Sequence, residues 1–75
     1  MSGKIKLLVV DDEVRFLEVI SKRLTMRDFD VTAVTSGQEA VDLADKQEFD
    51  LALIDLRMPG MSGEEVLEIL KRKHP

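Results

Sequence analysis

The sequence predicts an α/β fold: a parallel sheet with helices on both faces. Three observations carry this. Two short runs, Ile5–Val10 and Leu51–Ile54, are almost wholly apolar and rich in Ile, Leu and Val, as in strands buried on both faces. A third, weaker run lies between them, and each run is followed by a stretch of helical period. The resulting order β-α-β-α-β-α needs crossover connections, which return each strand parallel to the one before.

The first strand, Ile5–Val10, is interrupted only by Lys6 and stops at Asp11-Asp12. From Val14 the period changes. Phe16, Leu17, Ile20 and Leu24 share one helical face, with Glu18 and Lys22 spaced to pair on the outside. Asp12 is the expected N-cap of this helix. Val31–Val34 reads as the second strand. Its alternation with Asp30, Thr32 and Thr35 places it at a sheet edge.

Ser36-Gly37-Gln38-Glu39 matches a capping box, and the helix it opens buries Ala40, Val41, Leu43 and Ala44. Leu51–Ile54 is the third strand, closed by Asp55. Met58-Pro59-Gly60 is a turn in which Pro59 presets φ and Gly60 is free to take a positive one. Ser62 and Glu65 form a second capping box, with Met61 placed to staple onto Val66. Val66, Leu67, Ile69 and Leu70 make the apolar face of the last helix. Lys71, Arg72 and Lys73 complement its dipole, and His74-Pro75 ends it.

Composition narrows the function. The chain has 75 residues, 15 acidic and 11 basic, a net charge of −4, one His and no Cys. One small domain fits that length. Domains this short usually need a disulfide, a metal or a partner. Without Cys, disulfides and thiolate zinc sites are excluded, and a lone His74 builds no imidazole cluster. The acidic balance argues against direct binding to nucleic acid. No apolar run approaches the roughly 20 residues of a membrane span, and the start lacks the apolar core of a signal peptide. The expectation is a cytoplasmic, soluble domain.

The acids stand where strands end. Asp11 and Asp12 follow the first strand and Asp55 follows the third. Ligands of open α/β sheets bind outside the carboxyl ends of the strands. If strands one and three are neighbours, three carboxylates converge there. Such a cluster favours a bound cation, and oxygen-only ligands favour Mg²⁺. A carboxylate beside Mg²⁺ has the chemistry to attack phosphorus and form an acyl phosphate. Each acid also has an ordinary use: Asp12 as a helix cap, Asp55 as the start of a turn, Glu13 as a first-turn acid.

The constellation of an apolar strand with Asp11-Asp12 and a later strand with Asp55-Leu56-Arg57-Met58-Pro59-Gly60-Met61-Ser62-Gly63 resembles the receiver domains of two-component response regulators. The resemblance runs from Lys4 to Pro75. It implies a flavodoxin-like fold with strand order 2-1-3 in this part. It implies Asp55 as phospho-acceptor and a Mg²⁺ site of Asp12, Asp11, Asp55 and the backbone carbonyl of Arg57. It further implies a histidine kinase or small phosphodonor as partner, and a phosphorylated switch rather than an enzyme.

A full receiver has five βα units, and this sequence carries three. The hydroxyl residue after the fourth strand and the lysine after the fifth have no counterpart in it. In the order 2-1-3, strand three becomes an edge, and Leu51, Leu53 and Ile54 would line it. The expectation is a homodimer paired through strand three, giving a six-stranded sheet ordered 2-1-3-3′-1′-2′. The alternative function is a structural, self-associating module whose acids carry no phosphoryl group.

Overall fold

The computed structural model describes residues 4–55 and 60–73. Its elements are β1 (Ile5–Val10), α1 (Val14–Met26), β2 (Phe29–Val34), α2 (Gly37–Lys46), β3 (Leu51–Ile54) and α3 (Gly63–Lys73). The sheet is ordered β2-β1-β3 with both pairings parallel, as expected. The Met58-Pro59 part of the expected turn and the His74-Pro75 stop lie outside the described residues.

β1 is the central strand, and its alternating side chains build two cores. Leu7 and Val9 pack with Leu17 of α1, joined by Ile20, Leu24, Phe29 and Val31. Leu8 and Val10 face the other way, onto Val34, Ala40 and Val66, with Leu43, Phe49, Ile54, Met61 and Leu70 around them. One helix therefore covers one face of the sheet and two cover the other. β2 starts earlier than its pattern suggests, because the parallel register pairs Ile5 with Phe29 and Lys6 with Asp30. Asp30 alone would not read as strand; the ladder to β1 recruits it.

Both capping boxes form. Glu39 N–H donates to Ser36 Oγ at 3.2 Å, and Ser36 Oγ donates back to Glu39 Oε1 at 3.3 Å. That carboxylate also accepts from the Thr35 backbone N–H and hydroxyl, one residue further back than the usual box reaches. At α3 the exchange is reciprocal: Glu65 N–H donates to Ser62 Oγ at 3.2 Å, and Ser62 N–H to Glu65 Oε1 at 3.3 Å. Met61 packs against the core containing Val66, as the staple requires. Gly60 has φ of 81°, which a side chain would strain.

Four local expectations are corrected. Asp12 is not the N-cap of α1. Glu13 holds that position with extended backbone and no side-chain cap, and its own N–H donates to Asp11 Oδ1. Phe16 is 49% exposed and Leu67 42%, although both lie on apolar helical faces. Each sits on the flank of its helix that looks toward β3, where no further element stands among the described residues. Glu18 and Lys22 are not among the ion pairs of the described residues; Glu68 and Arg72 form one at 3.9 Å, on a fully solvated flank.

Among the described residues β3 pairs with β1 alone, which leaves its other edge open there. Leu51 and Leu53 are 53% and 50% exposed. The register with Leu7 and Val9 turns them to the α1 side of the sheet. The strand is anchored at its start by a reciprocal pair: Asp50 N–H donates to the Lys6 carbonyl at 2.8 Å, and Lys6 N–H to Asp50 Oδ2 at 2.8 Å.

Candidate functional site

The backbone ladders overrun β1 and β3 by one residue, and this sets the site. Asp11 N–H donates to the Val34 carbonyl at 3.2 Å, continuing the pairing of β1 with β2. Asp55 N–H donates to the Val10 carbonyl at 2.9 Å, continuing the pairing of β3 with β1. Asp11 and Asp55 are thus held side by side at the carboxyl end of the sheet, the position predicted from strand order.

Asp11, Asp12 and Asp55 each offer a carboxylate oxygen, and the three atoms lie within 4.8 Å of one another. Asp11 and Asp55 are half-buried and Asp12 is exposed. Mg²⁺ binds oxygens at 2.0–2.1 Å, so ligands on opposite sides of the ion stand about 4.2 Å apart. The spacing of these oxygens therefore suits a single ion, with small side-chain adjustments and open positions left for water or substrate oxygens. Like charges this close repel, and a divalent cation relieves the repulsion. The Arg57 carbonyl, the fourth expected ligand, lies outside the described residues.

An apolar groove runs from the acids down the α1 side of the sheet, between Phe16, Ile20 and Leu53, with Asp11 and Asp55 at its head. The sequence pattern puts Phe16 on the apolar face of α1 but does not reveal its place beside the site. Its position five residues after Asp11, in the first turn of α1, is the available signal. The turn made by Asp11 was missed as well. An Asp two residues before a backbone N–H that needs a partner is the sequence sign of such a turn. Among the described residues no helix is long and apolar enough to cross a membrane.

Comparison with known proteins agrees with this geometry. A family model described as the response regulator receiver domain matches residues 7–75. The heme response regulator HssR of Staphylococcus aureus (strain Newman) is 36% identical over 70 residues, covering 93% of this chain and 31% of HssR. The chemotaxis protein CheY4 of Vibrio cholerae superposes with a TM-score of 0.91 at 30% identity, over 95% of this chain and 59% of that one. The response regulator protein TrrA of Thermotoga maritima, solved in complex with Mg²⁺-BeF, gives a TM-score of 0.88 at 31% identity, over 93% of this chain and 61% of that one. A chain from the complex of histidine kinase ThkA with TrrA gives 0.86 at 32% identity, over 92% and 60%. This chain thus spans about three-fifths of the solved receivers and about a third of HssR.

Proposed function

The chain belongs to the response regulator receiver domain family, and from that premise we propose that Asp55 accepts a phosphoryl group in a two-component signalling step. The observation that carries the reading is the convergence of the Asp11, Asp12 and Asp55 carboxylates at the carboxyl end of the sheet. An Asp55 oxygen attacks the phosphorus of the donor. An O–P bond to Asp55 forms while the donor's bond to phosphorus breaks: P–N in a phosphohistidine, P–O in an acyl phosphate. The leaving group departs with the electron pair. Mg²⁺, when bound, offsets the charge that gathers on the phosphoryl oxygens.

Within that site the Asp12, Asp11 and Asp55 carboxylates would hold the ion, with the Arg57 carbonyl as the fourth expected ligand. Asp55 has both roles, ligand and nucleophile. Its anchored backbone N–H fixes where the nucleophile points, so positioning contributes alongside charge. The donor is a histidine kinase or a small phosphodonor; the solved complex of TrrA with ThkA supports the first. Receivers are signalling modules, and the product here is the modified domain itself.

A second reading has its own observation. Leu51 and Leu53 stand half-exposed on a strand whose outer edge has no partner among the described residues, the usual template for pairing with another chain. Two copies joined antiparallel through β3 give the six-stranded, two-fold sheet. This self-association is compatible with phosphotransfer or stands without it.

Incubation with Mg²⁺ and acetyl phosphate separates the readings. The proposal expects one phosphoryl addition, by intact mass, to wild type and none to Asp55→Ala. Equal addition to both removes Asp55 as acceptor, and no addition to either leaves the self-associating module.

A further inference from the structure

Within the proposed Mg²⁺ site the three carboxylates are not equivalent in the fold. Asp11 Oδ1 accepts a hydrogen bond from the Glu13 backbone N–H at 2.9 Å. The same residue's own N–H donates to the Val34 carbonyl at 3.2 Å. Asp11 is thereby fixed to the sheet by its backbone and to the start of α1 by its side chain. Glu13 in turn is the N-cap of α1, has no side-chain cap, and its carbonyl accepts the Leu17 N–H at 3.0 Å. Asp12 is the single residue between these two fixed points. Its carboxylate is exposed, and it lies inside the turn that Asp11 closes onto the Glu13 N–H.

We infer that Asp11 is a positioning residue: through its bond to the Glu13 N–H it aims Asp12 at the cation, an effect separate from the charge that Asp11 adds to the site. The inference rests on the Mg²⁺ reading above. It assigns Asp11 two separable contributions, one electrostatic and one geometric. Asparagine at this position keeps the acceptor oxygen and loses the charge. Alanine loses both.

The comparison of Asp11→Asn with Asp11→Ala therefore cancels the charge, and Asp11→Ser, which keeps an acceptor for the turn without a carbonyl oxygen for the ion, separates the turn from ligation. Mg²⁺ affinity is measured by titration calorimetry on wild type, Asp11→Asn, Asp11→Ser, Asp11→Ala and Asp12→Asn. Hydrogen exchange at the Glu13 amide is followed in the metal-free proteins. Loss of an orienting partner typically weakens metal binding about 10-fold or more. The expected result is that Asp11→Ala binds Mg²⁺ about 10-fold more weakly than Asp11→Asn, with Glu13 protected in the second and exposed in the first. Asp11→Ser keeps a weaker acceptor on the same N–H and falls between them; it replaces Asp11→Ala in the comparison if alanine prevents folding.

Asp11→Ser binding Mg²⁺ no more tightly than Asp11→Ala, or equal affinities for the asparagine and alanine variants, with Asp12→Asn impaired, overturns the positioning role and leaves the metal site standing. Wild type and Asp12→Asn binding Mg²⁺ alike, or neither binding it, overturns the site reading and the inference with it.

Discussion

Gly37 at the start of α2 lies directly under Val66 of α3: a Cβ at position 37 would sit 2.5 Å from Val66 Cγ2 and 3.2 Å from Met61 Cβ. The two helices that share one face of the sheet meet at their N-terminal turns, and the missing side chain is what lets them meet. Val66 is fully buried and β-branched, so it has little freedom to move away. Gly37→Ala is expected to cost about 1–3 kcal/mol by overpacking, despite alanine's better helix propensity. Urea unfolding checks this, and pairing the change with Val66→Ala should recover part of the loss that Gly37→Ala adds.

A second stability change has the opposite sign. Asp28, just past α1, has φ of 69°, and its N–H donates to the Thr25 carbonyl at 3.1 Å. This is the left-handed helix end that glycine adopts without steric cost. Asp28→Gly is expected to stabilise the domain by roughly 0.5–1 kcal/mol. The check is a higher urea midpoint at unchanged m.

How much of this was legible can be judged element by element. β1 and β3 were read with their observed limits, because continuous Ile-Leu-Val runs end abruptly at acids. Ser36 with Glu39, and Ser62 with Glu65, announced their helices because capping chemistry is local. Phe29-Asp30 was not read as strand, since its pairing is decided by Ile5 and Lys6, far away in the chain. The exposure of Phe16 and Leu67 is not legible because periodicity identifies an apolar face without saying how far the neighbouring layer extends over it. The convergence of Asp11, Asp12 and Asp55 was legible only through strand order. The turn that Asp11 makes with Glu13 was hidden because Asp12 offered a more familiar cap.

The cation should couple to folding. A ligand that binds only the folded state stabilises it by about 2.7 kcal/mol at a hundred times its Kd. Thermal unfolding of wild type is therefore expected to shift upward with added Mg²⁺. Asp12→Asn and Asp55→Asn should lose most of that shift. A rise of equal size in all three proteins would mean that the ion acts elsewhere.

The open edge of β3 makes a separate prediction. Wild type should sediment as a dimer at micromolar concentration, and Leu53→Lys as a monomer. A charged residue on an edge strand opposes pairing, and the half-exposed side chain of Leu53 leaves room for the substitution. A compact wild-type monomer would remove the β3 dimer without touching the acid site.

The central claim concerns which atom receives phosphorus, and chemical trapping reads it most directly. The protein is treated with acetyl phosphate and Mg²⁺, reduced with borohydride, digested and sequenced by mass spectrometry. Reduction of an acyl phosphate turns the modified aspartate into homoserine at its own position. The account predicts homoserine at residue 55 and intact aspartate at 11 and 12. Homoserine at either of those positions, or at none of the three, would contradict it.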